Sequence, residues 1–307
     1  MHTILVASTS FGLGEERSRL QDLFSSYDLI PHFTRLSEAS KNPASLAACD
    51  GIIIGTERIT TEHFEKATRL KAVIKYGVGT DNIDKEAAAH YGVKVLNLPG
   101  INCDAVAELA LGLMITAARR IAGGDGSIRE GQWLKLVGVS VQGKVLGIIG
   151  TGAIGKALAK LVTGLEMELL GYDIRRDEGF AALGGTYVDL ATLLRRSDFV
   201  SLHTPLDEST YHMIGKKELA LMKESAILIN TSRGPVVDEN ALYDALKRKQ
   251  IKGAALDVFE TEPLTDSRLL EIEGLVCTPH IAAYSHEVLR RMDRKCVEKL
   301  AGALNAV

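Results

Sequence analysis

Short apolar runs recur along the whole chain, and the segments between them return apolar residues every three or four positions. The runs Thr3 to Ser8, Gly51 to Gly55, Lys71 to Tyr76, Val93 to Asn97, Lys144 to Ile149, Glu168 to Tyr172, Asp198 to Leu202, Ala226 to Asn230, Gly253 to Asp257 and Gly274 to Cys277 read as strands. Such β-rich runs, alternating with helical patterns, predict parallel sheets covered by helices on both faces. They are too many for one ordinary sheet. The pattern therefore predicts an α/β protein of two doubly wound parallel-sheet domains.

The strongest punctuation is Pro99-Gly100, followed by a helical pattern from about Asn102 to Ile121 and then the glycine-rich Gly123-Gly124-Asp125-Gly126. A second long helical pattern, from about Ser285 to Leu304, closes the chain. A domain over residues 102–280, inserted into a first domain made of residues 1–101 and 281–307, lets that last helix pack back on the first domain. The Asn102 to Ile121 helix is apolar on most of its circumference, with Val106, Leu109, Ala110, Leu111, Leu113, Met114, Ile115, Ala117 and Ala118. One face for its own core and another for a twofold mate predict a homodimer.

A chain of 307 residues with 46% hydrophobic and 24% charged residues can build cores of this size. Its formal net charge of −3 gives no electrostatic reason to expect nucleic acid or an anionic membrane as partner. Cys49, Cys103, Cys277 and Cys296 are scattered, form no CxxC pair and lie near no histidine at metal-ligand spacing, so reduced thiols and no metal are expected. The start, Met1 to Ser8, reads as a first strand, and no apolar run approaches the roughly 18 residues of a membrane helix. A cytoplasmic protein is expected.

The most informative segment is Gly150-Thr151-Gly152-Ala153-Ile154-Gly155, which follows the strand ending at Ile149 and opens a helical pattern. Gly150 permits a tight turn, Gly152 lets backbone approach a diphosphate, and Gly155 lets helix and strand pack closely. The helix N-terminus then offers unpaired N–H groups and the positive end of its dipole. Asp173 ends the next strand at the offset of a ribose-binding acid, which favours NAD over NADP because a carboxylate repels a 2′-phosphate. Arg175 and Arg176 leave that choice open: they suit a 2′-phosphate, an adenine face or a solvated loop.

Three polar residues stand beyond strand ends in the second half, where open α/β sheets bind ligands: Arg233, Glu262 and His280. Reduction of a 2-oxo acid needs a cation for the carboxylate, a proton donor for the carbonyl oxygen, and an acid beside that donor. Arginine, histidine and glutamate supply these in turn. On spacing alone the three are equally compatible with solvated loops and a structural histidine.

Beyond these residues, the chain resembles the D-isomer-specific 2-hydroxyacid dehydrogenase family, and within it phosphoglycerate dehydrogenase-like members, over nearly its whole length. The matching segments are Tyr76-Gly77-Val78-Gly79-Thr80-Asp81-Asn82-Ile83-Asp84, Val106-Ala107-Glu108-Leu109, the Gly150 fingerprint, Ser201-Leu202-His203-Thr204-Pro205-Leu206, Asn230-Thr231-Ser232-Arg233-Gly234, Leu256-Asp257-Val258-Phe259-Glu260 with Glu262-Pro263, and Pro279-His280-Ile281. The resemblance implies a flavodoxin-like substrate domain and a Rossmann domain. It implies that Arg233 orients the substrate, that His280 is the acid or base and that Glu262 hydrogen-bonds it. It further implies that Asp257 holds the nicotinamide amide, that His203, Thr204, Pro205, Thr210, Thr231 and Ser232 serve the cofactor, and that Lys75, Gly77, Val78, Gly79 and Asn102 serve the substrate. The Gly77-Val78-Gly79 loop would offer backbone N–H groups to a carboxylate.

Family members acting on phosphoglycerate carry an arginine after the strand matching Gly51 to Gly55 and another where Lys75 stands; here the first site reads Ile54-Gly55-Thr56. Arg58 and Lys135 are the candidate substitutes, and no segment matches the regulatory C-terminal domain of the longer phosphoglycerate enzymes. The first substrate expectation is 3-phosphohydroxypyruvate with D-3-phosphoglycerate, and the second is glyoxylate, hydroxypyruvate or a phosphonate analogue. A reading of a different class is an NAD(H)-sensing binding protein.

Overall fold

The computed structural model describes residues 1–265 and 267–306. The chain divides into two compact units, Met1–Asn102 with Ala283–Val307, and Cys103–Ala282.

The first unit is built on five parallel strands, β1 (His2–Ala7), β2 (Leu29–Phe33), β3 (Gly51–Ile54), β4 (Ala72–Lys75) and β5 (Lys94–Leu96), in the order β2-β1-β3-β4-β5. The central strands read as unbroken apolar runs because both faces are covered: Ile52, Ile53 and Ile54 are wholly buried, as are Val73 and Ile74. Helix His286–Asn305 supplies part of that cover by burying Val288, Leu289, Met292, Cys296, Val297, Leu300 and Leu304 along one stripe. Ser285 caps it, its hydroxyl accepting the Val288 N–H. The periodicity did not reveal β2. Pro31 interrupts its pattern, and such a strand is tolerated because β2 lies at the sheet edge, paired only with β1.

The second unit carries seven parallel strands, β6 (Val145–Ile149), β7 (Glu168–Tyr172), β8 (Thr186–Tyr187), β9 (Phe199–Leu202), β10 (Ile227–Asn230), β11 (Gly253–Leu256) and β12 (Val276–Cys277), in the order β12-β11-β10-β9-β6-β7-β8. The two halves of the sheet diverge at β6, which pairs with β7 on one side and β9 on the other. This is the topological switch point at which open α/β sheets bind ligands beyond their C-terminal strand ends. The unexpected strand here, β8, is again an edge, and its two residues are too few to show a period.

Helix Cys103–Arg119 matches the first long helical pattern, but its apolar circumference is spent mainly within its own unit. Ala105, Val106, Ala107, Ala110, Leu113, Met114 and Ala118 are buried, while Leu109, Leu111, Ile115 and Ala117 are half-covered against the same core. The glycine-rich stretch after it is helical. Gly123, Gly124 and Gly126 lie inside a second helix, Ile121–Arg129, set off from the first by Arg120 in the left-handed region at φ 54°. Among the described residues no helix is long and apolar enough to cross a membrane.

One buried carboxyl makes the first unit sensitive to pH. Asp293, 1% exposed, accepts the Tyr76 hydroxyl at 2.7 Å and the Gly12 N–H at 3.2 Å on Oδ1, while Oδ2 has no hydrogen-bond partner among the described residues. Burial pushes its carboxyl up from 3.8 to about 6, although the Tyr76 and Gly12 donors favour the ionised form. The native state thus binds a proton that the unfolded chain has lost, and stability falls as pH rises from about 4 to about 6. Asp293→Asn keeps an acceptor for Tyr76 and removes the charge. The variant should be more stable than the parent at pH 7 by up to roughly 3 kcal/mol, at about 1.4 kcal/mol per pH unit, with the gain vanishing near pH 4. Denaturant titrations at the two pH values check this, and an equal effect at both would show that the charge is not the cause.

Candidate active site

In the second unit the loop after β6 behaves as the glycine spacing predicts. Gly150 has φ +91°, and a Cβ there would lie 2.7 Å from the His203 carbonyl group beyond β9. A Cβ on Gly155 would fall 2.3 Å from the Gly150 carbonyl oxygen, so helix Ala153–Leu161 seats directly on the loop. At Gly152, the N-cap of that helix, a Cβ would meet nothing within 4 Å. Two glycines are thus required by the fold, and the third stands beside open space at a helix N-terminus. Asp173, just beyond β7, accepts the Thr151 N–H at 2.8 Å.

The strand ends on the other side of β6 carry threonine hydroxyls without partners. Thr204 Oγ1 and Thr231 Oγ1 are buried and make no hydrogen bond among the described residues. His203 is different: its Nε2 pairs with Ser201 Oγ at 2.9 Å, and desolvation of the ring pushes the imidazole down to about 4, so the ring is neutral. The Thr210 hydroxyl is spent inside its own loop, donating to the Pro205 carbonyl at 2.7 Å and accepting the Asp207 N–H at 2.8 Å. Thr210 therefore shapes the Pro205 loop.

Beyond β10, Asn230 holds the turn that carries Arg233. Its Oδ1 accepts from the Ser232 N–H and hydroxyl at 3.0 and 2.8 Å, and its amide donates to the Arg233 carbonyl at 2.9 Å. Gly234 then passes so close to the next loop that a Cβ would sit 1.9 Å from the Phe259 carbonyl carbon. That loop carries Glu262. Glu262 Oε1 accepts the Phe259 N–H at 3.0 Å, and Oε2 meets His280 Nδ1 at 2.7 Å. His280 itself stands at φ +53°, a conformation uncommon outside glycine and one that needs support from its surroundings. The support is Asp257, fully buried, whose Oδ1 accepts from the Thr278 hydroxyl and the Ile281 N–H at 2.6 and 2.8 Å and whose Oδ2 accepts the Ala282 N–H at 2.9 Å. Asp257 is thus first of all the anchor of the His280 turn.

Electrostatics follow from this packing. Burial raises the Glu262 carboxyl, but the hydrogen bond and charge of His280, the Phe259 N–H and the Arg233 charge outweigh it, and the group titrates below the usual glutamate value. The same loop is braced from outside. The Glu260 carboxylate accepts from His212 Nε2 at 2.9 Å and from the Glu239 N–H at 3.1 Å, and the Glu260 N–H donates to Glu239 Oε1 at 2.6 Å. His212, Asp238 and Glu260 also form the one cluster of metal-type donors among the described residues, and His212 and Glu260 in it are already paired with each other. Asn230, Gly234, Glu239 and His212 had not been singled out. Asn230 and Gly234 were readable within the Asn230-Thr231-Ser232-Arg233-Gly234 segment, whereas Glu239 and His212 declare themselves only through contacts distant in sequence.

The substrate residues expected in the first unit lie around β4. Lys75 is buried and donates to the Gly55 carbonyl at 2.5 Å. Asn97 Nδ2 and the Leu98 N–H hold the Val78 and Gly77 carbonyls at 2.7 and 2.9 Å. The Asn102 side-chain oxygen is buried and unpartnered among the described residues.

A doubly wound sheet with a glycine-rich switch-point loop and a histidine–carboxylate pair beyond neighbouring strands defines a dinucleotide-dependent dehydrogenase. Residues 111–282 match the family model described as D-isomer specific 2-hydroxyacid dehydrogenase, NAD binding domain. The chain is 47% identical over 261 residues to a glyoxylate reductase of Korarchaeum cryptofilum, covering 82% of this chain and 79% of that one, and 43% identical to a hydroxypyruvate reductase of Thermotoga maritima, covering 81% and 82%. A D-lactate dehydrogenase from Aquifex aeolicus, solved with NAD and lactic acid, superposes with a TM-score of 0.88 at 28% identity over 99% of this chain and 96% of its own. The chain belongs to the D-isomer-specific 2-hydroxyacid dehydrogenase family, as an NAD-dependent oxidoreductase.

The Glu262–His280 contact makes the first functional prediction. The depressed Glu262 value means that the ion pair is complete above the ordinary glutamate value of 4.5 and is lost as pH falls through the depressed one. Glu262→Gln should lower kcat by about ten- to a hundredfold, less than the 10²–10⁴-fold expected of His280→Ala, and abolish the acid-side loss of activity that protonation of Glu262 causes in the parent. Steady-state pH profiles check this; an unchanged acid limb in a folded variant would mean that Glu262 does not govern it.

Proposed function

We propose that the enzyme reduces glyoxylate and hydroxypyruvate to the corresponding 2-hydroxy acids, with Arg233, His280 and Glu262 as its reacting set. The His280–Glu262 contact of 2.7 Å carries the reading, because it places a proton donor and its counter-charge in one loop pair beside the Arg233 turn. NAD(H), when bound, takes or supplies the hydride. Gly150, Gly152, Ala153, Ile154 and Gly155 would hold its diphosphate, Asp173 its ribose, and the unpartnered hydroxyls of Thr204 and Thr231, with Ser232, would line the rest. The guanidinium of Arg233 holds the substrate carboxylate and polarises the carbonyl. His280 delivers its proton to the carbonyl oxygen, and Glu262 keeps the imidazole oriented as it does so.

A small unphosphorylated substrate suits the first unit better than 3-phosphohydroxypyruvate. Thr56 stands at the end of β3 where an arginine would serve a phosphate, and Lys75 already donates to the Gly55 carbonyl. The similarity to a glyoxylate and a hydroxypyruvate reductase points the same way. With NADH as reductant, kcat/KM for glyoxylate or hydroxypyruvate should exceed that for 3-phosphohydroxypyruvate by at least about tenfold, the scale of one missing charged contact. The opposite order would make Arg58 or Lys135 a phosphate-binding cation and overturn the substrate assignment.

We also propose a homodimer, carried by a surface other than the expected one. The helix Cys103–Arg119 is mostly committed to its own core, but Ile121 and Ile128 on the next helix and Trp133, Leu134 and Val137 beyond it are exposed, Trp133 by 80% and Val137 by 85%. Apolar groups concentrated in so short a stretch mark an interaction surface. Light scattering at micromolar concentration should give twice the 33.1 kDa chain mass, and Trp133→Glu with Val137→Glu should give the single mass. A monomeric parent protein would exclude this assignment.

A further inference from the structure

Asp173 is held by a relay of hydrogen bonds whose direction can be deduced. The chain begins at the Asp177 backbone N–H, which can only donate and does so to the Tyr187 hydroxyl oxygen at 2.8 Å. That hydroxyl is 2.7 Å from Thr151 Oγ1, and Thr151 Oγ1 is 3.3 Å from Asp173 Oδ2. A carboxylate can only accept, so the Thr151 proton points to Asp173, and the Tyr187 proton goes to Thr151 at 2.7 Å in preference to its other acceptor, the Asp177 carbonyl at 3.4 Å. Every donor in the relay is therefore oriented toward Asp173, an arrangement in which each bond strengthens the next. The Thr151 N–H adds a second donor to Oδ2 at 2.8 Å, and the Arg175 N–H holds Oδ1 at 3.0 Å.

The far end of the relay is anchored as well. Lys156, on the helix that opens the glycine loop, grips Asp177 Oδ2 at 2.6 Å, and the Gly179 N–H grips Asp177 Oδ1 at 2.7 Å. The Tyr187 ring packs against Phe180 at 5.3 Å between centroids, and the Arg176 guanidinium lies 5.9 Å from the ring centroid. Thr151 is 1% exposed, so its hydroxyl serves the relay and not solvent.

We infer that Tyr187 and Thr151 are positioning residues for cofactor discrimination: their hydroxyl relay fixes the Asp173 carboxylate in the one orientation that accepts a ribose diol and repels a 2′-phosphate. The inference rests on the reading of Asp173 as the ribose-binding acid. Without the relay the carboxylate keeps its backbone donors but loses a hydroxyl donor, and it can rotate away from an incoming phosphate. Discrimination then weakens although neither Tyr187 nor Thr151 need touch the dinucleotide.

The test measures dissociation constants for NADH and NADPH by nicotinamide fluorescence, together with the melting temperature of each variant. Tyr187→Phe keeps the ring between Phe180 and Arg176 and deletes only the hydroxyl. It should lower the ratio of the NADPH to the NADH constant by roughly three- to tenfold, the worth of one hydrogen bond in such a network. Thr151→Val should do the same and Thr151→Ser should retain the parent ratio, which keeps the test decisive if Tyr187→Phe fails to fold. A purely structural role would weaken both cofactors alike; an unchanged ratio in Tyr187→Phe or Thr151→Val overturns the inference. Asp173→Ser separates the two claims. If the ratio collapses there but not in the hydroxyl variants, the relay is refuted and the ribose reading stands, whereas an unmoved ratio in Asp173→Ser refutes the ribose reading and the inference with it.

Discussion

A carboxylate with no exposed surface, Asp257, holds the turn that carries His280 in shape. Placed at the end of β11, it takes three hydrogen bonds from the turn formed by residues 278–282 and leaves His280 in a left-handed conformation facing Glu262. Burial raises the Asp257 carboxyl, and the donors of Thr278, Ile281 and Ala282 work against that rise. Burying a charged acid is expensive unless its lone pairs are met, and here they are met by the turn that must be positioned. The desolvation cost of the acid is thereby converted into the rigidity of the histidine.

The rest of the reacting set is organised around that turn by close backbone approach. Gly234 admits the Phe259 carbonyl group where any side chain would exclude it, so the Arg233 turn and the Glu262 loop are packed as one layer. Asn230 closes the first of these turns, and the reciprocal Glu239–Glu260 bonds with His212 close the second. A proton donor for the carbonyl oxygen must be correct to a fraction of an ångström, and loops acquire that accuracy only when their own polar groups are spent on one another.

Comparison of two buried acids shows the same physics with opposite outcomes. Asp257 has both oxygens engaged, whereas Asp293 in the first unit has one oxygen engaged and one without a partner. The first acts as an anchor at every pH at which it is ionised. The second stores a protonation cost in the core of its unit, since an acid pushed up to about 6 is carried as a charge at neutral pH against its surroundings.

The sequence by itself determined what depends on local pattern. Central strands buried on both faces are continuous apolar runs, so β3, β4, β6, β9 and β10 could be read directly. The glycine fingerprint, Arg233, Glu262 and His280 were legible because their spacing to strand ends, and their resemblance to known motifs, are properties of the linear chain. Tertiary structure decided the rest. Edge strands β2 and β8 lack the two-faced burial that writes a pattern into the sequence, and Gly123, Gly124 and Gly126 form a helix against the low propensity of glycine. The anchoring of the His280 turn by Asp257, the bonds of Thr151 to Tyr187 and to Asp173, and the contact of Gly234 with Phe259 all join residues more than twenty positions apart. Such partners are chosen by the register of parallel strands and the crossing of loops beyond them, and a hydrogen bond of that kind leaves no periodic trace in either of the segments it connects.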